Sequence, residues 1–190
     1  MSSPDGRWLI TGGIGSGKSE VRRLLATHGV RTIDADAVGH SVLIDEARAP
    51  VVQRWPEVVL EGQIDRKLLA RIVFADPDEL RALEEITHPL IFGRIRAELE
   101  GFSGVAAVEM PLLNPALGWP RIVVDASDEV RLQRAMKRGM SEVEVKERMA
   151  AQPSRERWLA GAAIIVPNHG DLKELEETIR RLAEHLTGGQ

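Results

Sequence analysis

Cysteine is absent from the 190 residues, which excludes disulfides and thiolate metal centres. Aromatic residues are few, four tryptophans and three phenylalanines. They are read as core, with Phe74 the exception available to a ligand. No apolar run approaches the roughly 20 residues of a membrane span, so no membrane partner is expected. The opening MSSPDGRW lacks the charged-then-apolar layout of a signal peptide, and the expected address is the cytoplasm. An excess of basic charge is also missing: 25 basic against 29 acidic residues give −4, which argues against nucleic acid as a bulk partner. Any anion must be met by a local cluster of Arg and Lys. What is present, 43% hydrophobic and 28% charged residues, is the content of a soluble globular protein. The length suits one domain with room for a modest insertion.

Short apolar runs recur between helical patterns. RWLIT (7–11), GVRTID (29–34), GVAAVEM (104–110), RIVVDA (121–126) and AAIIVP (162–167) read as buried strands. Their alternation with helices predicts an α/β protein, a five-stranded parallel sheet flanked by helices in three layers. Residues 35–103 do not fit a simple crossover and read as helices. Asp36 and Asp65 are candidate caps, and Asp76-Pro77-Asp78-Glu79 is a helix start. Pro89 is expected to break or restart the helix, because His88 before it is biased away from helical angles. Residues 127–138 read as a helix interrupted at Gly139, and Ser141-x-x-Glu144 restarts one with a capping box. The last helix is expected to open on an Asp171/Glu174 capping box and to stop at Gly188-Gly189. The expected organisation is a nucleotide-binding core (1–36, 101–133 and 160–190), a helical insertion (37–100) and a small lid (134–159).

The chemistry starts at GGIGSGKS, residues 12–19, which fits G-x-x-x-x-G-K-[ST] between a strand and a helix. Roughly three in a thousand chains of this composition would carry the pattern, so it is specific. Gly12, Gly13, Ile14, Gly15, Ser16 and Gly17 would turn backbone amides onto phosphates. Lys18 would reach the β and γ phosphates, and the Ser19 hydroxyl would bind Mg²⁺. Asp34 and Asp36 sit where a strand ends, the edge at which open parallel sheets bind ligands. One of them can orient the Mg²⁺ shell or take a proton from an acceptor hydroxyl. Glu109 closes another strand and is a candidate Mg²⁺ ligand through water. Arg131, Arg134 and Arg138, spaced i, i+3, i+7, form a basic stripe suited to the γ-phosphate. Arginines so placed accelerate transfer on the order of 10³- to 10⁵-fold. Arg148 is a weaker member of the set. The plain alternatives are a helix cap for Asp36, a packing histidine for His40, and a solvated basic face for the arginines.

A phosphate loop serves switches, motors and kinases alike. DAVG (36–39) and NHGD (168–171) mimic guanine-nucleotide motifs. Asp36 lies only 18 residues past Lys18, however, and His169 replaces the guanine-reading lysine. A motor of this length would lack its partner modules. The layout is that of a small-molecule kinase whose lid excludes water, the competing acceptor.

TGGIGSGKS, IDAD, GQIDRKLLARIVF, ITHPLI, MPLL, the Arg134/Arg138 pair and RMAAQPSRERWLAGAAIIVPNHG together resemble the dephospho-coenzyme A kinases in order and spacing, nearly end to end. The resemblance implies transfer of the ATP γ-phosphate to the ribose 3′-hydroxyl of dephospho-CoA, with Mg²⁺. It implies that residues 12–19 hold the donor phosphates and that Asp36 is the base. It places Asp65, Arg66, Phe74 and His88 on the acceptor side, and His40, one helical turn past Asp36, is a further candidate there. Arg138 is its lid arginine, and Asn168 and Gly170 lie by the adenine. No nucleic acid partner is implied, and a monomer is expected. Departures from the family pattern fall at Glu20 (usually Thr), Glu109 (usually Asp), Asn114 (in place of the usual Phe-Glu after P-L-L), Arg131 (commonly Gln) and Ala163 (commonly Asp). Rival readings are a kinase for another hydroxyl acceptor, such as a nucleoside monophosphate or a shikimate-like metabolite, and a catalytically silent nucleotide-binding protein.

Overall fold

RWLIT forms strand β1 (Arg7–Thr11), followed by α1 (Lys18–Thr27) and β2 (Arg31–Asp34). The computed structural model describes residues 3, 5–111, 113 and 116–188. The chain continues through α2 (Ala35–Ile44), α3 (Arg48–Arg54), β3 (Val59–Leu60), β4 (Gln63–Ile64), α4 (Arg66–Ala75) and α5 (Pro77–Glu98). Then come β5 (Ala106–Glu109), β6 (Arg121–Asp125), α6 (Asp128–Lys137), α7 (Glu142–Ala151), α8 (Arg155–Leu159), β7 (Ile164–Pro167) and α9 (Leu172–Thr187). Two compact units result: Met1–Asp34 with Phe102–Gln190, and Ala35–Gly101. Leu112, Asn114 and Pro115 of the PLLNP stretch, and Gly189, lie outside the described residues.

The first unit holds the expected sheet, in the order β2-β5-β1-β6-β7 with every pairing parallel. Parallel strands covered on both faces need continuous apolar runs, and Trp8, Leu9 and Ile10 are all at most 3% exposed. Val21, Leu24 and Leu25 of α1 and Leu175, Ile179 and Leu182 of α9 pack with Trp8, Ile10, Ile122 and Val124 in one core. Asp171 caps α9 by accepting from the Glu174 N–H, and Gly188 ends it in the left-handed conformation. The Ser141/Glu144 capping box forms in full at the start of α7.

The second unit is mostly helical, and three local expectations need correction there. First, residues 59–64 form an antiparallel hairpin, Val59 opposite Ile64 and Leu60 opposite Gln63. Glu61 (φ 50°) and Gly62 (φ 78°) turn it, and positive φ at both central positions is what a type I′ hairpin turn demands. Second, Asp36 is not at an N-cap position, since α2 starts at Ala35 directly after β2 and Asp36 lies within its first turn. Third, Pro89 neither breaks nor restarts a helix: α5 runs through it from Pro77 to Glu98. A proline inside a helix costs about 3 kcal/mol. Beyond it, Phe92 and Ile95 are buried, each contributing about 1.5–3 kcal/mol, and α5 packs along α2 and α4. Tertiary burial outweighs the local bias. Asp65 caps α4 by accepting from Lys67 and Leu68 N–H groups, and Asp76 caps α5 by accepting from Asp78.

Candidate active site

The glycine loop joins β1 to α1 and is crowded from outside. Gly17, left-handed at φ 100°, is the N-cap of α1, so the helix presents its unpaired N–H groups and positive dipole end at the loop. A side chain at Gly17 would collide with the Asn168 amide, and one at Gly13 with the Arg131 guanidinium. Lys18 Nζ donates to the carbonyls of Gly12 (3.0 Å) and Gly13 (3.1 Å), which holds the ammonium over the loop.

At the strand ends beside the loop, oxygens gather. Ser19 Oγ donates to Glu109 Oε1 at 2.7 Å, and Glu109 is 8% exposed. Register places Asp34 of β2 opposite Glu109 of β5. Two carboxylates side by side repel unless a cation answers them. Arg22, one turn after Lys18 on α1, supplies it, with Nε to Glu109 Oε2 at 2.7 Å and a terminal nitrogen to Asp34 at 3.2 Å. The sequence reading overlooked Arg22. Its i, i+4 spacing from Lys18 was the available signal.

The arginine stripe divides. Arg131, 5% exposed, is internal: its Nε donates to the Ile14 carbonyl (3.0 Å) and it pairs with Asp128 (2.9 Å). Arg134 is half-buried and donates to the Asn168 carbonyl (2.9 Å) and side-chain oxygen (3.2 Å). Burial, then the neighbouring Arg138 charge, lowers its pKa from the ordinary arginine value. Arg138 is the exposed C-cap of α6, so only Arg131 and Arg134 lie within the helix proper. The helix ends one residue early because Gly139, left-handed at φ 96°, turns the chain out. Asn168, 5% exposed, donates to the Ser16 carbonyl at 2.8 Å and so ties the loop after β7 to the phosphate loop. Gly17, Arg134, Arg138, Asn168, Leu172 and Leu175 line an open groove of about 320 Å³. Gly170 neighbours it, accepting from Arg134 at 3.4 Å.

A second network stands behind the loop, unseen in the sequence. Asp125 ends β6 and takes both forks of Arg155 from α8, at 2.8 and 2.7 Å. His169 reaches the same carboxylate at 3.3 Å, while its Nδ1 accepts the Ser127 N–H at 3.2 Å. The hydrogen bond from Arg155 is the largest cause holding Asp125 below the ordinary carboxyl value, against the opposing effect of burial.

The acceptor-side candidates all belong to the second unit. Asp36 and His40 are both exposed, one turn apart on α2. The Asp65 carboxylate is engaged as the α4 cap, Arg66 follows it exposed at the first helical position, and Phe74 near the end of α4 is 75% exposed. His88 is half-buried, 5.5 Å from the Phe92 ring.

A parallel five-stranded sheet whose first strand feeds a glycine loop, with a Lys-Ser pair opening the next helix, defines a P-loop kinase fold. The family model for dephospho-CoA kinase matches residues 9–174. A dephospho-CoA kinase from Streptomyces avermitilis is 44% identical over 182 residues, covering 90% of this chain and 88% of that one. Another from Thermus thermophilus is 36% identical over 187 residues, covering 95% and 91%. Among solved structures, TT1252 from Thermus thermophilus superposes with a TM-score of 0.84 at 35% identity, covering 96% and 98%. A dephospho-CoA kinase from Campylobacter jejuni gives 0.73 at 26%, covering 97% and 98%. A shikimate kinase at 14% identity and TM-score 0.54 shares the fold alone. The chain belongs to the dephospho-CoA kinase family.

Proposed function

We propose that the protein transfers the γ-phosphoryl group of ATP to the ribose 3′-hydroxyl of dephospho-CoA, the last step of coenzyme A synthesis. The observation that carries this is the donor half-site: a glycine cradle holding Lys18, with Ser19 and Glu109 paired at its edge, in a chain of this family. Phosphoryl transfer needs positioning and charge neutralisation more than covalent catalysis. Residues 12–19 cradle the phosphates, Lys18 exchanges its loop carbonyls for phosphate oxygens, and Asn168 and Gly170 border the adenine. The Ser19 hydroxyl would hold Mg²⁺ directly and the adjacent Glu109 carboxylate through water, oxygen donors of the kind this hard cation prefers. Among the described residues no group of three or more His, Asp or Glu is arranged to hold a metal by itself. Bound there, Mg²⁺ would neutralise charge developing on the transferred group.

Asp36 is the proposed base toward the acceptor hydroxyl, and Arg138 the proposed lid arginine. The unit Ala35–Gly101 carries the acceptor residues His40, Asp65, Arg66, Phe74 and His88 in this reading, and residues 134–159 close over the donor. A cytoplasmic monomer belongs to the same proposal. Coupled ADP release from ATP and Mg²⁺ tests it, with dephospho-CoA, nucleoside monophosphates or shikimate as acceptor. Turnover is expected with dephospho-CoA. Preference for another acceptor, or ATP binding without acceptor-dependent turnover, overturns the proposal.

A further inference from the structure

The Gly13–Ile14 peptide is gripped from both ends. Its carbonyl accepts from Lys18 Nζ at 3.1 Å, and its N–H donates to Gln152 Oε1 at 2.8 Å. The following carbonyl, that of Ile14, accepts from Arg131 Nε at 3.0 Å, and Arg131 reaches the same Gln152 oxygen at 3.4 Å. Gln152 is the C-cap of α7, extended at φ −89° and ψ 161°, and half-buried. Both of its partners here are donors, so only an acceptor satisfies them, which fixes the carboxamide oxygen inward.

We propose that Gln152 is a positioning residue of the donor site. It sets the plane of the peptide on which Lys18 rests and thereby the readiness of Lys18 to move to the triphosphate. The lever is geometric: rotating that peptide would carry its carbonyl away from the ammonium and turn its N–H off Gln152 together. Because Gln152 ends α7 and Arg131 lies on α6, the same clamp ties the helices flanking Arg138 to the apex of the loop. The inference rests on residues 12–19 being a nucleotide site and is independent of the acceptor's identity.

Two substitutions separate positioning from simple support. Gln152→Ala removes the acceptor, and loss of one hydrogen bond corresponds to about 2- to 10-fold. We expect the KM for ATP to rise and kcat to fall within that range, with the KM for dephospho-CoA unchanged. Gln152→Glu keeps both acceptor contacts and strengthens the one to Arg131, but places a negative charge beside the triphosphate. It is expected to melt no lower than the parent chain, yet to weaken ATP about 10-fold and ADP less, measured by direct nucleotide binding without acceptor. Parent-like ATP and ADP affinities in both variants overturn the proposal. So does a loss in Gln152→Ala that falls equally on ATP and dephospho-CoA and follows the melting temperature. Failure of the parent chain to bind ATP in the same assay would instead strike the donor-site reading.

Discussion

Replacing Glu109 by glutamine changes one atom at the meeting point of the phosphate loop and the sheet. Glu109 accepts two hydrogen bonds of 2.7 Å, one from Ser19 and one from Arg22. A carboxamide has a single acceptor oxygen, which stays with the donor-only Arg22, while its amide nitrogen turns to Ser19, whose hydroxyl can accept; what is lost is the negative charge that strengthened the Arg22 bond. A hydrogen bond to a charged group contributes about 1.5–3 kcal/mol. Arg22 is 28% exposed and retains Asp34 at 3.2 Å, so water and Asp34 recover part of this, leaving about 1–2 kcal/mol. For a chain of this size that is a fall in Tm of roughly 2–8 °C. The loss of charge acts separately on Mg²⁺: removing a supporting carboxylate typically costs about 10- to 100-fold in metal affinity. The assay is paired, a thermal melt without nucleotide and a Mg²⁺ titration of turnover at fixed ATP. Glu109→Asp, one methylene shorter but still charged, should lower Tm comparably and shift the Mg²⁺ requirement much less. A Glu109→Gln protein with the expected fall in Tm and an unchanged Mg²⁺ requirement would refute the metal role and leave Glu109 as a partner of Arg22.

Asp36→Asn should cut turnover by about 10²- to 10⁴-fold, the usual range for a lost general base, while nucleotide affinity stays near the parent value. Parent-like turnover would remove Asp36 as the base. Gly17→Ala meets the Asn168 amide and a left-handed φ of 100°, so ATP binding by calorimetry should fall at least about 10-fold; an unaltered affinity would show that the loop relaxes freely. Arg155 holds Asp125 below its ordinary value of 3.8. The stabilisation this gives is complete above that value and is lost as pH falls through the lower folded-state value. Melting curves between pH 2 and 6 should therefore show Arg155→Gln losing stability at neutral pH, and the gap to the parent chain closing in acid. A gap constant with pH would contradict the assignment.

The strands and most helix ends are legible in the sequence because their causes are local. Apolar runs are long enough for a buried parallel sheet, and Asp65, Asp76, Ser141 and Asp171 lie at the right offsets to cap helices. The Glu61-Gly62 turn is harder to read, since only the glycine signals positive φ and the strands it joins are two residues each. Pro89 misleads for the opposite reason. Its local penalty is real, but helix packing on both sides of it decides the outcome.

At the site, the sequence by itself determines the reactive groups: a glycine loop with Lys18 and Ser19, acids at two strand ends, and arginines spaced along one stretch of chain. Which of them face one another is a tertiary matter. Residues 138 apart in sequence meet at the Ile14 N–H, and those 90 apart meet at the Ser19 hydroxyl. Spacing along a helix puts Arg131, Arg134 and Arg138 on one face. Packing buries the first under the loop, gives the second to Asn168 and leaves the third exposed at the groove. Periodicity within an element follows from its own backbone geometry, whereas the partners of a side chain follow from how the strands are ordered, and that order places β5 and β6 on either side of β1.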